Sequence, residues 1–457
     1  MHERRKGLGS VQVEPRIFKG TRDFLPADMA VRNRAVGTLR DAFERFGFLP
    51  LETPAIELLE VLEGKSGSEE DKLIYNLAYR DGRTLGLRYD LTVPLSRVMA
   101  MYGRDLPLPF KRYQIQPVWR ADKPQKGRFR EFCQCDVDTV GCAEMAADAE
   151  IILLVRQAMQ DLGFQSFRMT LNHRKIITGV MEVIGVPEAA RTAASKAVDK
   201  LEKIGRDEVE KLLVSGAEAG LSPARAREFL DAVAPGGSPA KDLERLADLL
   251  GKSEAGRAGV AETRELLALV SAVCDDATWL RFSPDMVRGL DYYTGPIFEI
   301  QVTEPKIGSL GGGGRYDRLV GELGGGEGFP ATGFAFGLER IILALSEGGA
   351  GSAVSGGPQV LVTVFSEDLQ AEAFRLAEEI RGGGLRVELF VGKPGKMKKQ
   401  FKTADRKAIP VTAVLGPDEA AGDRVGLKDM RTGEQRQVPR AEAARSICAM
   451  LGEGERT

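Results

Sequence analysis

Histidine is nearly missing from this chain: His2 and His173 are the two among 457 residues. That leaves no pair for a metal site and no partner set for conventional Ser/His chemistry. Any catalysis must rest on arginines, carboxylates and a bound cation. Cysteine is scarce as well. Cys133, Cys135, Cys142, Cys274 and Cys448 are odd in number and unevenly spaced, which argues against a disulfide framework. Cys133, Cys135 and Cys142 cluster, but no histidine lies close by, so they read as half-buried thiols rather than a zinc site. The cytoplasm is the natural compartment. No apolar run nears membrane-spanning length, and no solenoid-type repeat is evident. Residues 1–17 have no apolar signal core, and Glu3 and Glu14 argue against an organellar presequence, so they read as a mobile lead-in.

What is present is the composition of a soluble globular protein, 43% hydrophobic and 28% charged. The chain is too long for one ordinary domain, and two or three are expected. The net charge of −2 means that a nucleic-acid partner would have to be met by local patches.

One stretch organises the rest. Phe110 to Asp138 opens with alternating Tyr113, Ile115, Pro117 and Trp119 and closes with Phe132 to Val137, predicting two antiparallel strands. Between them lies a polar loop carrying Asp122, Lys123, Lys126, Arg128 and Arg130. Hairpin loops usually run about two to five residues, so one of about ten has a task. Its cations suit a polyphosphate, a nucleic-acid end, or both.

Upstream, Ala30 to Phe46 has helical periodicity ending at Gly47, and Phe46 to Glu57, broken by Pro50 and Pro54, suits a strand at an edge or interface. Leu85 to Leu95 alternates and puts Arg88, Asp90 and Thr92 on one side of a strand, with a helix near Pro94 to Met101. Downstream, Ala146 to Leu162 reads as a helix and Phe167 to Asn172 as a strand. Residues 175–279, rich in Ala, Leu and charged side chains and poor in aromatics, read as an all-helical insertion. Phe334 to Leu345 is a strand end running into a buried helix. A Gly/Ser-rich linker at 348–357 precedes alternating strand and helix patterns, the signature of a small α/β domain with a mainly parallel sheet over 358–457.

Three further stretches carry chemical signals. GSLGGGGRYD lacks the strand–GxGxxG–helix setting of a dinucleotide site, so a tight turn or a close backbone approach to a ligand is the better reading. GKPGKMKK resembles half a P-loop, but Met397 stands where Ser or Thr should follow the lysine. The lysines there, with Lys402, Arg406 and Lys407, form either a solvated helix face or a surface for an RNA backbone. In RGLDYYTG, Tyr292 and Tyr293 are either a core and a surface residue of a strand or, with Arg288 and Asp291 before them, part of a ligand pocket.

Together these stretches resemble the histidyl-tRNA synthetases (histidine–tRNA ligases), a class II aminoacyl-tRNA synthetase family. Phe46 to Glu57 is similar to the first class II motif, VWRADKPQKGRFREF to the second and GFAFGLERI to the third. RGLDYYTG and GGGGRYD resemble the two signatures peculiar to the histidine enzymes. The resemblance implies an α+β class II catalytic domain over 18–347, an antiparallel sheet flanked by helices. It also implies a helical insertion domain at 175–279 and a C-terminal α/β anticodon-binding domain at 358–457. It implies activation of L-histidine by ATP, with Mg2+, and transfer to tRNA(His) by a homodimer formed through the first motif.

The same resemblance assigns residues. Arg120 and Arg288 fall at the α-phosphate, where attack by a carboxylate builds negative charge. Arg128 and Arg340 would hold the outer phosphates, with magnesium sharing the load, and Phe132 would stack on adenine. Asp90, Thr92 and Gln134 match acceptors for the ammonium of histidine, while Asp138 and Tyr293 match partners for its ring nitrogens. Tyr292 and Tyr316 would line the pocket. Lys123, Gln125 and Lys126 suit the tRNA acceptor end, and Lys396 and Lys399 the terminal domain's RNA face.

Two departures stand out: RYDLT replaces the RPEGT form of many bacterial members, and RADK replaces the more usual RHER around Arg120. Two other readings share the motifs. One is the regulatory paralogue of ATP phosphoribosyltransferase, which generally lacks the terminal domain; the other is an RNA-binding module with a dead catalytic domain. Arg120, Arg288 and Arg340 together disfavour both.

Overall fold

The computed structural model describes residues 14–63, 73–215, 219–274, 278–287, 292–324, 328–348 and 357–452. Arg288 and Asp291, most of the expected lead-in and most of the expected linker lie outside the described residues. The chain divides into two compact units, the second comprising the C-terminal region from Ala353 together with Phe24–Val31.

In the first unit, an eight-stranded sheet among the described residues has the order β1-β5-β6-β11-β10-β9-β7-β8. Its strands are β1 (Leu49–Pro50), β5 (Phe110–Trp119), β6 (Glu131–Val140), β7 (Phe167–His173), β8 (Leu280–Phe282), β9 (Pro296–Val302), β10 (Ser309–Arg315) and β11 (Ala331–Gly337). The outermost pairs, β1 with β5 and β7 with β8, are parallel, and the inner ones antiparallel. A small antiparallel sheet of β2 (Ile56–Leu58), β4 (Thr84–Leu87) and β3 (Tyr75–Ala78) stands beside it in the chain.

Because side chains alternate along a strand, the large sheet has two unlike faces. Tyr113, Cys133, Cys135, Val137, Met169, Leu171, Phe298, Ile300, Phe334 and Phe336 share one core with the helices Pro26–Arg45, Met145–Asp161 and Leu338–Glu347. The other face carries Arg112, Gln134, Asp136, Asp138 and Glu299, all buried and all polar. A slip of β6 by one residue would put Asp136 and Asp138 into the apolar core.

Helices follow one another from Arg174–Ile184 to Glu254–Ser271. They build a core of their own that runs into the sheet through Phe282, Val287 and Ile297. Leu266 and Val270, near the end of the last helix, pack instead in the main core.

The second unit holds a five-stranded sheet in the order β13-β12-β14-β15-β16: β12 (Val360–Val362), β13 (Val387–Leu389), β14 (Val411–Val414), β15 (Arg424–Asp429) and β16 (Gln435–Pro439). It is mixed rather than mainly parallel. The last two strands turn back antiparallel, a hairpin whose polar, alternating residues carried little strand signal.

Three other local expectations also give way. The glycine run is no turn: it is β10, a central strand between β9 and β11. Three of its four glycines, Gly311, Gly313 and Gly314, sit where a side chain would strike neighbouring backbone, as at Gly311, where an added Cβ would stand 2.5 Å from the Ala335 carbonyl oxygen. The strand expected through Leu95 stops at Leu87, and Thr92 opens the helix Thr92–Tyr102. Arg88 points away from Asp90, donating to the carbonyls of Thr53 (2.6 Å) and Pro117 (3.0 Å) and to Gln116 Oε1 (2.8 Å). Tyr292 and Tyr293 occupy the turn before β9 rather than a strand.

Candidate active site

The polar face of the large sheet floors a cavity of about 550 Å³, lined by Asp90, Thr92, Gln134, Asp136, Asp138, Tyr292, Tyr293 and Tyr316 among others. Each wall has a local cause. Gln134, Asp136 and Asp138 come from alternate positions of β6, so all three look the same way. Asp90 sits just before the helix Thr92–Tyr102, where its Oδ1 accepts from the Val93 backbone N–H at 3.1 Å. That bond turns the carboxyl into a cap, and it leaves Oδ2 without a hydrogen-bond partner.

Asp138 is held from two sides. Arg112, wholly buried on the neighbouring strand, places Nη2 2.7 Å from Asp138 Oδ2, and the Tyr316 hydroxyl donates to Oδ1. Arg112 is fixed in turn by the Leu91 carbonyl at 3.3 Å and Gln114 Oε1 at 3.4 Å. On the other flank stands Gly333, where an added methyl group would overlap the Asp138 carboxylate. Only glycine leaves that carboxylate its place. Tyr292 and Tyr293 pack with ring centroids 4.8 Å apart, and Tyr293 lies over Gly314, where a Cβ would meet its ring at 2.9 Å.

Burial dominates the electrostatics. It lifts the Asp90 carboxyl to about 6 and raises Asp136 and Asp138 as well, against the pull of Arg112. The phenols of Tyr292, Tyr293 and Tyr316 are pushed up for the same reason. Acidic side chains outnumber basic ones in the lining, Asp90, Asp136, Asp138, Asp199 and Glu299 against Arg120, Arg174, Lys196 and Arg340. The buried Oδ2 of Asp90, Oε1 of Gln134 and Oδ1 of Asp136 accept no hydrogen bond. Such a cavity suits a small ligand rich in N–H donors and carrying positive charge.

A second cavity of about 520 Å³ adjoins the first and shares Arg120, Gln134, Gly312, Ala335 and Arg340 with it. A side chain at Gly312 would meet only the Phe298 carbonyl oxygen at 3.4 Å, so it would stand in the floor common to both. Here the lining changes sign, with Arg120, Arg128, Phe132 and Arg340. The Arg120 guanidinium lies 5.2 Å from the centre of the Phe132 ring and its Nε donates to the Tyr89 carbonyl at 2.9 Å. Arg340 reaches the Ser309 and Gly127 carbonyls at 2.6 and 3.2 Å. Its neighbour Glu339 ties that helix to the hairpin by accepting from the Cys133 N–H at 3.0 Å and pairing with Arg32 at 2.8 Å. Aromatic surface beside several guanidinium groups is what a nucleoside polyphosphate requires.

The hairpin loop is more ordered than its polarity suggests. Arg120 N donates to the Arg130 carbonyl at 2.8 Å, and a smaller turn inside it pairs Gln125 with Arg128 through Gly127 at φ +72°. Arg128 pairs with Asp122 at 2.9 Å, while Lys123, Gln125 and Lys126 are exposed at the tip, Lys126 pairing with Glu347 at 2.8 Å. In the second unit, Lys396 and Lys399 are exposed at the start of the helix Met397–Arg406. Gln400 anchors that helix by bonding both the N–H and the carbonyl of Val364 at 2.9 Å.

Thus Asp90, Thr92, Gln134, Asp138, Tyr292, Tyr293 and Tyr316 come together, as do Arg120, Arg128, Phe132 and Arg340, while Arg288 lies outside the described residues. Sequence reasoning passed over Asp136, Arg112 and Gly333. Asp136 had a signal, since it shares strand parity with Gln134 and Asp138; Arg112 and Gly333 acquire meaning only through cross-strand pairing.

Residues 20–341 match the family described as Histidyl-tRNA synthetase, and residues 359–449 match the Anticodon binding domain. The chain is 39% identical to the histidine–tRNA ligase of Gloeobacter violaceus, covering 94% of this chain and 98% of that protein. It is also 39% identical to that of Porphyromonas gingivalis, covering 96% and 100%. The histidyl-tRNA synthetase crystal structure from Nostoc superposes with a TM-score of 0.84 at 30% identity, covering 96% of this chain and 100% of the other. With a mixed sheet bearing the two cavities and an anticodon-binding domain after it, the chain belongs to the histidyl-tRNA synthetase family of class II aminoacyl-tRNA synthetases.

Proposed function

We propose that this chain is a histidine–tRNA ligase, activating L-histidine with ATP and passing the histidyl group to the 3′ end of tRNA(His). The observation that carries this reading is the pair of adjoining cavities, acidic and tyrosine-lined on one side, arginine-rich with Phe132 on the other, meeting at Arg120 and Gly312. An amino acid in the first and ATP in the second would bring a carboxylate to the α-phosphorus beneath Arg120.

In the first step a carboxylate oxygen of histidine attacks the α-phosphorus and diphosphate leaves. Arg120, with Arg288 from the segment after Val287, would balance the charge that builds on the phosphorus oxygens, while Arg128 and Arg340 hold the leaving diphosphate. Phe132 would stack on adenine. Asp90, Thr92 and Gln134 would take the ammonium, and Asp138 and Tyr293 the two ring nitrogens. In the second step a ribose hydroxyl of tRNA attacks the activated carbonyl, and AMP leaves. Magnesium would arrive with the ATP phosphates. Among the described residues no group of three or more His, Cys, Asp or Glu could hold a metal, so phosphate and water would supply most of its ligands.

Lys123, Gln125 and Lys126 would meet the acceptor end, and Lys396 and Lys399 the anticodon arm. A homodimer through the first motif fits the apolar residues left uncovered on two edge strands: Leu49 is 62%, Ile56 49% and Leu58 41% exposed. No described helix is long and apolar enough to cross a membrane. The five free cysteines agree with a reducing cytoplasm.

Histidine-dependent exchange of pyrophosphate into ATP, followed by charging of tRNA, tests the whole reading. Histidine binding with no exchange would replace it with the regulatory role named for a Bacillus halodurans structure, "ATP phosphoribosyltransferase regulatory subunit/histidyl-tRNA synthetase", which is 25% identical with a TM-score of 0.69. Normal exchange in Arg288→Ala would remove Arg288 from the mechanism.

A further inference from the structure

We propose that Asp136 is a further acceptor for the α-ammonium of the bound amino acid, beside Asp90, Thr92 and Gln134. The inference rests on the ligase reading above.

Asp136 is 2% exposed, lines the acidic cavity, and its Oδ1 accepts no hydrogen bond. Its cross-strand neighbours, Gln114 on β5 and Ala335 on β11, do not supply one. The Gln114 amide nitrogen is committed to Thr53 Oγ1 at 2.9 Å and Gln116 Oε1 at 2.6 Å, and Ala335 has no donor to give. The nearby guanidinium of Arg112 turns its Nη2 to Asp138 instead. A buried carboxyl oxygen without a partner costs stability, so a purely structural role does not account for it.

The donor count fits an ammonium group. It offers three N–H bonds and no acceptor. The Thr92 hydroxyl can accept one of these bonds, but it is neutral and is not left orphaned. That leaves Asp90 Oδ2, Gln134 Oε1 and Asp136 Oδ1 as buried, unpartnered acceptors on the cavity wall. The first comes from the cap of a helix and the other two from one face of β6, so the ammonium would be met from two sides. Burial raises the Asp136 carboxyl strongly, and a cation beside it would favour the ionised form.

The test is pyrophosphate exchange with the full chain carrying Asp136→Ala or Asp136→Asn. Two inhibitors accompany it: histidinol, which keeps the ammonium, and imidazole lactate, which has a hydroxyl in its place. In Asp136→Ala, KM for histidine and Ki for histidinol should rise about tenfold or more, the scale of a lost hydrogen bond to a charged group. KM for ATP and Ki for imidazole lactate should stay within about twofold. Asp136→Asn should fall between, because it keeps an oxygen but loses the charge. Unchanged histidine and histidinol constants would overturn the assignment. So would equal weakening of histidinol and imidazole lactate, which would mark a distorted pocket. Should the alanine variant fail to fold, the asparagine variant decides by the same constants. Absence of exchange in the wild-type chain would sink the ligase reading alone, and calorimetric binding of histidinol would then decide the role of Asp136.

Discussion

Replacing Arg112 by Met should cripple histidine recognition while sparing both the fold and ATP. Arg112 is wholly buried, and Asp138 beside it is 3% exposed, so little solvent screens their contact at 2.7 Å. Removing one partner of such a pair costs about 3–5 kcal/mol if the other stays ionised. Asp138 has a less costly way out. Burial already holds its carboxyl above the ordinary range, with Arg112 as the principal force pulling it down. Without Arg112, burial drives it further toward the protonated form, and the loss of stability stays below that limit. The proton, however, removes the anionic partner of the imidazole. A hydrogen bond to a charged group is worth about 1.5–3 kcal/mol, so KM for histidine should rise by about 10- to 150-fold. Arg112 lines neither cavity, so KM for ATP should hold within about twofold. Because a carboxyl ionises as pH rises, part of the histidine affinity should return with rising pH in the variant but not in the wild type. Steady-state exchange across pH measures all of this. A variant whose KM for histidine stays near the wild-type value at every pH would refute the reasoning.

Gly333→Ala should act on the same carboxylate from the other flank. The new methyl overlaps Asp138, so KM for histidine should rise by about an order of magnitude or more with little change in KM for ATP, and a normal histidine KM would show that the strand can shift. Burial sets the Asp90 carboxyl at about 6 against an ordinary 3.8. Its proton is therefore bound more tightly in the folded state, so its contribution is full below about pH 4 and is lost as pH rises to about 6. That is worth roughly 3 kcal/mol at about 1.4 kcal/mol per pH unit, and Asp90→Asn should flatten the fall in melting temperature over that window. Lys396→Ala with Lys399→Ala should weaken tRNA charging, leave exchange intact and shrink the salt slope of tRNA binding by about one unit per lysine. Equal loss of charging and exchange would argue against an RNA face there.

Much of the site was legible before any coordinates. Alternation predicted the two strands of the hairpin, and the family resemblance named Gln134 and Asp138, which the structure brings into one cavity, and Arg120 and Arg128, which it brings into the next. Two stretches misled for physical reasons. Alternation through Arg88, Asp90 and Thr92 suggested one strand, yet Asp90 caps a helix, because a carboxylate just before a helix can accept a free backbone N–H. GSLGGGG suggested a tight turn or a close backbone approach to a ligand, since glycine is a poor strand former; it is a central strand, and at Gly311, Gly313 and Gly314 its neighbours leave no room for a side chain.

The sequence by itself determined which residues of the β5–β6 hairpin share a face, because side-chain alternation is local. With almost no histidine present, it also left arginines and carboxylates as the candidates for any chemistry. Tertiary structure alone decided how those faces meet. Arg112 pairs with Asp138 because β5 lies beside β6, and Gly333 yields to the same carboxylate because β11, nearly 200 residues on, lies on the other side. Asp136 Oδ1 is left without a hydrogen-bond partner by the neighbours that this register gives it, and which strands become neighbours is set by long-range packing.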